Sequence, residues 1–257
     1  TKAKKFIRQG DMFQCVLSQR FSADISGKPL DFYRNLRITN PSNYLYFYDF
    51  GDYQIIGASP ESLVSLKNGV VTTNPIAGTR PRGSNDQKDK DLSEELLSDV
   101  KEVAEHRMLV DLGRNDIGKI AEVGSVQVTK YMEVEFFRYV MHLTSVVKGK
   151  LLSGLTGMDA LKSTLPAGTV SGAPKIRAMK RIYELEKEKR GIYAGAIGYL
   201  SASGDMDFAI AIRTMIIKNQ RAYVQAGAGI VYDSVPENEY YETINKAKAM
   251  TRIGEIQ

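Results

Sequence analysis

Leu63-Val64-Ser65-Leu66-Lys67-Asn68-Gly69-Val70-Val71-Thr72-Thr73-Asn74 decides the fold class. Two β-prone runs flank Asn-Gly, the pair that most readily takes the left-handed backbone of a tight hairpin turn. The same pattern recurs on both sides. Residues 13–20 form a mixed apolar run, and residues 44–50 turn at Gly51-Asp52 and resume over 53–57. Residues 125–131 and 140–148 read as strands, and 191–233 as an antiparallel meander turning at Gly204-Asp205 and Asn219-Gln220. Helices interrupt these runs. Asp91 and Glu94 have capping-box spacing, and Leu92, Leu96, Leu97, Val100, Val103, Ala104 and Met108 follow with helical periodicity to about Gly113. Residues 160–165 predict a helical turn and 175–189 a further helix. Ser234, Pro236 and Glu237 open a last helix, with Gly254 to end it. The turn-rich stretches 74–91 and 166–174 read as loops, the first as a possible lid. Hairpin-like runs broken by helices predict an α+β fold with antiparallel sheet, not alternating parallel βαβ units.

At 257 residues, 43% hydrophobic and 25% charged, the chain can bury a core of one large or two small domains without staples. The net charge of +5 is spread out, and the one dense basic stretch is Lys2, Lys4, Lys5 and Arg8. That argues against nucleic acid and fits a cleft for an anionic small molecule. One cysteine, Cys15, excludes an intrachain disulfide and a Cys-type zinc site. Two histidines, His106 and His142, exclude a three-His metal site. No apolar run reaches membrane-spanning length and no signal peptide opens the sequence, so no membrane role and a reducing, cytoplasmic location are expected. The first residue is Thr1, as expected of a piece or a processed product.

Two glycine loops invite a nucleotide reading and fail it. Gly227-Ala228-Gly229 has Tyr232 where a dinucleotide fingerprint needs its third glycine. In residues 168–175, Gly172 and Lys175 are not adjacent and Ile176 replaces the Ser/Thr of a phosphate loop. Their bare amides suit a carboxylate, or simply close packing. Glu102/Glu105 and Glu239/Glu242 each put two carboxylates on one helix face, and Lys246 joins the second face. These are either solvated surface or ligands for a hard cation such as Mg²⁺. His142 on a strand is either structural or a proton carrier. Arg213 within the apolar run 208–217 needs an anionic answer, from an ion pair or a bound carboxylate. Arg80, Arg82 and Arg114 lie in polar stretches and read as solvated.

Taken together, Pro75-Ile76-Ala77-Gly78-Thr79-Arg80-Pro81-Arg82-Gly83, Asp111-Leu112-Gly113-Arg114-Asn115-Asp116, PAGTVSGAPK at 166–175, AIAIRT at 209–214 and QAGAGIVYDSVPE at 225–237 closely resemble the chorismate-utilising enzymes, most of all the anthranilate synthase large subunits. The resemblance runs in order from about Gly10 onward. It implies two packed antiparallel sheets flanked by helices with the site in a cleft between them, and a single catalytic domain over 1–257 lacking the family's N-terminal regulatory half. It implies conversion of chorismate and ammonia to anthranilate and pyruvate, the first committed step of tryptophan synthesis, with a glutamine amidotransferase partner. It implies Mg²⁺ on Glu105 and Glu242, supported by Glu102 and Glu239. Lys246, Arg213 and Tyr193 would meet the substrate's carboxylates, and Gly78, Thr79, Thr169, Gly227, Ala228 and Gly229 would line the pocket. Glu61 resembles the general acid, and His142 in Tyr139-Val140-Met141-His142 an active-site histidine. Asn40-Pro41-Ser42-Asn43-Tyr44-Leu45 resembles part of the tryptophan feedback site, with Asn43 where proline is common.

Two positions select the branch. Relatives that add water carry a lysine base where this chain has Gln14, and aminodeoxychorismate enzymes often carry a lysine where it has Ala77. Neither side chain can take a proton from water or bond the ring, which leaves direct attack by ammonia. The competing class is a non-catalytic α+β domain whose glutamate faces and glycine loops are structural. An assay for anthranilate discriminates the two.

Overall fold

The computed structural model describes residues 1–251; Gly254, expected to end the last helix, lies outside them. The helices are α1 Lys2–Arg8, α2 Pro29–Thr39, α3 Asp86–Ser98, α4 Val100–Gly118, α5 Gly157–Thr164, α6 Lys175–Leu185 and α7 Pro236–Thr251. The strands are β1 Gln14–Asp24, β2 Tyr44–Asp49, β3 Gln54–Ser59, β4 Ser62–Lys67, β5 Val70–Thr73, β6 Ile76–Pro81, β7 Gln127–Phe136, β8 Val140–Lys150, β9 Gly172–Ala173, β10 Ala196–Leu200, β11 Met206–Ile210, β12 Thr214–Lys218 and β13 Arg221–Ile230. A 3-10 turn spans Gly168–Val170.

The chain divides into two compact units. Residues 1–61, 166–197 and the segment beginning at Ala209 form the first, and residues 62–165 and 198–208 the second. The first unit holds a six-stranded sheet in the order β2-β3-β12-β13-β1-β9. Its named pairings are antiparallel, and β1 runs against β13 over ten residue pairs, Cys15 opposite Ile230 through Asp24 opposite Arg221. Side chains alternate across a strand, so Ala222, Val224 and Ala226 of β13 share one face. That face is buried with Phe32 and Leu36 of α2 and Ala247 and Met250 of α7. A second core gathers Ala3, Ile7, Met12, Cys15 and Ile182 from α1, β1 and α6.

The second unit holds the seven-stranded sheet, β10-β11-β4-β5-β8-β6, with β7 on β8. The Asn-Gly hairpin forms as read: Asn68 and Gly69 take φ of 50° and 75°, and Lys67 pairs with Val70. Leu96 of α3 packs against Met141 and Leu143 of β8.

Several expectations are corrected. Stretch 74–91 is no loop: it contains β6 and the start of α3. Its turn residues misled because β6 carries a bulge at Gly78, where the register to β8 slips between Ala77 and Thr79. The single helix expected over 91–113 is two. Asn85 caps α3, and Asp99 ends it and caps α4 by accepting the Lys101 and Glu102 amides at 3.0 and 3.1 Å. Val100 therefore sits in a first turn, 83% exposed, rather than on an apolar face. The region 191–233 is no meander, since β10 and β11 belong to one sheet and β12 and β13 to the other. Arg213 lies in that crossover, not in a strand. The hydroxyl of Ser234 accepts the Val231 amide at 3.0 Å, and α7 begins at Pro236.

Candidate active site

In the first unit, Glu61 follows β3 at the chain's exit from the sheet. Its carbonyl accepts the Ile210 amide at 3.0 Å, which fixes it beside the end of β11. The Thr169 hydroxyl donates to Glu61 Oε2 at 2.9 Å. Loss of solvation pushes the Glu61 carboxyl above the usual range, against the pull of the Thr169 bond and the charges of Lys246 and Arg213. A carboxyl so placed holds a proton more firmly than a solvated one.

Arg213 has φ of 49°, and its guanidinium donates to the Lys246 carbonyl at 2.9 Å. Its charge is opposed by burial and favoured by Glu61 and Tyr193. Lys246 on α7 bonds the Gly227 carbonyl at 3.2 Å and pairs with Glu242 at 2.6 Å. Glu239 lies one turn earlier on that helix. The Tyr193 hydroxyl approaches Gly227 so closely that a Cβ there would stand 2.5 Å from it. Burial pushes the Tyr193 phenol up to about 12, so it remains a donor at neutral pH. Ala228 is buried and Gly229 half-buried on the same strand, and the Gln14 amide lies against Gly229.

In the second unit, Gly78 takes φ of 71° at the β6 bulge, and Thr79 follows it. Nδ1 of His142 lies 3.0 Å from both the Gly78 carbonyl and the Thr79 hydroxyl. A carbonyl only accepts, so the proton sits on Nδ1 and Nε2 keeps its lone pair. Burial lowers the His142 pKa, which keeps the ring neutral; the Gly78 bond opposes it. Glu102 and Glu105 lie one turn apart on α4. The Glu102 carboxyl is pushed up by burial, then by the negative charges of Glu105 and Asp99. Arg80 answers part of that charge: it bonds Glu95 at 2.9 Å and Asp99 at 2.8 Å, with Glu102 at 3.8 Å. Arg80 is thus a partly buried ion-pair centre rather than a solvated side chain, and Arg82 bonds Asp89; Arg114 is exposed and pairs with Asp111 at 3.1 Å.

Within either unit, among the described residues, no three carboxylate, imidazole or thiol groups are placed to hold a metal ion by themselves. Each unit instead offers one glutamate pair. That donor set fits Mg²⁺, which is bound through one or two carboxylates, with waters and substrate oxygens completing its shell. Repulsion between Glu102 and Glu105 is the state a cation relieves.

Sequence reasoning missed Glu186 and Arg190. Their i, i+4 spacing was visible, but nothing in it showed that they meet β1 and the 3-10 turn.

A family model described as chorismate binding enzyme matches residues 1–252. The chain belongs to that family. Within it, anthranilate synthase component 1 of Lactococcus lactis subsp. lactis is 61% identical over 99% of this chain and 56% of its own length. The Aquifex aeolicus counterpart is 57% identical over 99% of this chain and 52% of its own. The chain therefore spans about half the length of the curated relatives it matches. The crystal structure of anthranilate synthase component I from Streptococcus pneumoniae superimposes with a TM-score of 0.92, at 80% identity over 98% of this chain and 56% of that one. The menaquinone-specific isochorismate synthase of Escherichia coli shares the fold at 27% identity and a TM-score of 0.88, covering 98% of this chain and 58% of that one.

Proposed function

We propose that the chain carries the chorismate site of an anthranilate synthase, using ammonia as nucleophile. The observation that carries the reading is Glu61: a carboxyl with its pKa raised by burial, bonded to Thr169 and flanked by Arg213 and Lys246. Chorismate is a dianion whose C4 hydroxyl is a poor leaving group. Arg213, Lys246 and the Tyr193 hydroxyl bind its carboxylates, with the glycine strand leaving room for the ring. Glu61 gives its proton to the departing C4 oxygen. Neutral His142 accepts a proton at Nε2. Glu105 and Glu242, with Glu102 and Glu239 in support, are the residues that would hold Mg²⁺, which would supply positive charge favouring attack at C2. Ammonia adds at C2 as the C4 hydroxyl leaves as water. Loss of the C2 proton and of the enolpyruvyl group as pyruvate then aromatises the ring.

Glutamine is not a nitrogen source for this chain alone. Burial pushes the Cys15 thiol up to about 12, so it is no nucleophile. A glutamine amidotransferase partner would supply ammonia. The test is product identity with chorismate and Mg²⁺: anthranilate and pyruvate form with ammonium, and neither forms with glutamine alone. Isochorismate, salicylate or 4-amino-4-deoxychorismate as main product overturns the reading; Gln14 and Ala77 argue against all three.

Gly227→Ala tests the pocket. Its methyl would collide with the Tyr193 hydroxyl and stand 3.0 Å from the Leu17 carbonyl. Overpacking of about 1–3 kcal/mol, borne by the substrate contact, raises KM for chorismate roughly ten- to hundredfold. An unchanged KM removes Gly227 from the site.

A further inference from the structure

Arg190 lies five residues past the end of α6, and Glu186 holds that helix's C-cap position. Their side chains are 17% and 10% exposed. The guanidinium grips Glu186 with two bonds, Nε at 2.8 Å and Nη2 at 2.7 Å. Its remaining reach goes to backbone: Nη1 donates to the Val170 carbonyl at 2.6 Å and Nη2 to the Val16 carbonyl at 2.7 Å. Glu186 in turn accepts the Ser18 amide at 2.8 Å and the Ser18 hydroxyl at 2.9 Å. One ion pair thus ties α6, β1 and the 3-10 turn together.

What those elements present is the reason to look further. Val170 is the residue after Thr169, whose hydroxyl holds Glu61. Val170 N also closes the turn onto Ala167, so pulling its carbonyl sets where Thr169 stands. Tyr193 donates its amide to the Arg190 carbonyl at 3.2 Å, and the guanidinium lies over its ring at 5.4 Å. A buried ion pair is weak evidence for stability, because desolvation offsets most of its attraction. Its value here lies in geometry. A planar fork with several fixed donors can hold two carbonyls and one carboxylate at once, which an ammonium cannot reproduce.

We propose that the Arg190–Glu186 pair is a positioning device for the reaction, holding the 3-10 turn so that Thr169 meets Glu61 and holding Tyr193 beneath its guanidinium. This rests on the proposed function, in which Glu61 is the acid. Arg190 touches no substrate; it acts through Thr169 and Tyr193. The groups that face Glu61 are the Thr169 hydroxyl from the turn, Arg213 from the crossover, Lys246 from α7 and the Tyr193 phenol. Of these, only Thr169 and Tyr193 are set by Arg190.

The test uses Arg190→Lys, Thr169→Val and the double variant, assayed for anthranilate with chorismate, Mg²⁺ and ammonium across pH. A misplaced acid costs about 10²-fold in kcat/KM, expected for Arg190→Lys. The Thr169 bond favours the ionised carboxyl, so losing it moves the alkaline limb of kcat to higher pH in either single variant. In the double variant the limb stays where Thr169→Val alone puts it, because the Tyr193 phenol is uncharged in this range and Arg190 reaches the titration of Glu61 only through the Thr169 bond. Additive limb shifts overturn the proposal, as does an Arg190→Lys variant that melts earlier yet keeps the parental kcat and limb. If Arg190→Lys does not fold, Ser18→Ala loosens Glu186 by one hydroxyl, and an upward limb shift supports the proposal while an unmoved limb overturns it. A parental chain with no turnover overturns the functional reading and this inference together; turnover with unmoved limbs overturns this inference alone.

Discussion

Glu105→Gln and Glu242→Gln are each expected to cut anthranilate formation on the order of 10³-fold or more while leaving the thermal midpoint nearly unchanged. The magnitude follows from removing a cation's charge stabilisation, worth several kcal/mol, from a reaction in which each 1.36 kcal/mol is tenfold. Glutamine keeps the shape and one oxygen but loses the charge that a hard cation requires. Glutamine also keeps the side-chain volume at both positions. Glu242 is exposed and its bridge to Lys246 at 2.6 Å is solvent-screened, so breaking it costs little stability. On α4, Gln at position 105 also relieves the repulsion that pushes the Glu102 carboxyl up. Glu102→Gln and Glu239→Gln, as supporting groups, are expected to lose about 10–100-fold and to regain rate as Mg²⁺ is raised. The measurement is kcat against Mg²⁺ concentration for all four variants. Wild-type turnover in Glu105→Gln or Glu242→Gln removes that residue from the cation site, and equal losses at all four positions erase the distinction between ligand and support.

Local signals carried the strands well because their determinants are local. Asn68-Gly69 and Asn219-Gln220 sit at tight turns with positive φ at both central residues, as the hairpin reading required. The glutamate pairs fell on α4 and α7 for the same reason: spacing of three is a property of one helix. The misses share a different cause. The α3–α4 break is invisible to apolar periodicity, which runs through residues 92–103 without a fault; the break is made by Asp99, whose side chain is committed to two amides and Arg80. The β6 strand hid behind Pro75, Gly78 and Pro81: Gly78 serves a bulge, while Pro75 precedes the strand and Pro81 ends it, paired with Val140. The crossover after β11 is hidden inside one apolar run, 208–217, which hydropathy reads as a single strand; it splits because β12 pairs with β3, some 160 residues earlier in the chain. At the site, the resemblance named residues that composition could not have chosen, such as Glu61 and Tyr193. It did not name Arg190, which besides Glu186 holds the backbone carbonyls of Val16 and Val170, since a sequence motif records side chains and not which carbonyl an arginine holds.

Glu61→Gln is expected to lower kcat about 10²–10⁴-fold, the range for loss of a general acid, with chorismate affinity little changed. The substitution separates charge from shape. A glutamine oxygen still accepts the Thr169 hydroxyl, now 2.9 Å from Oε2, and the fields of Arg213 and Lys246 persist for the substrate carboxylates. Only the transferable proton is gone. Alkaline pH mimics the change in the parental enzyme, because deprotonating Glu61 removes the same proton; the variant's residual rate therefore lacks that alkaline limb. Stability gives an independent reading with its own sign. The folded-state carboxyl titrates above its unfolded value, so its contribution is fully present below the unfolded pKa and is lost as pH rises through the folded one. Glutamine cannot ionise, so Glu61→Gln gains thermal stability relative to the parent as pH rises through that window. Parental kcat in the variant would strip Glu61 of its role as acid. A thermal midpoint that tracks the parent at every pH would show instead that the carboxyl is not held protonated, because only a group whose pKa differs between folded and unfolded chains makes stability depend on pH.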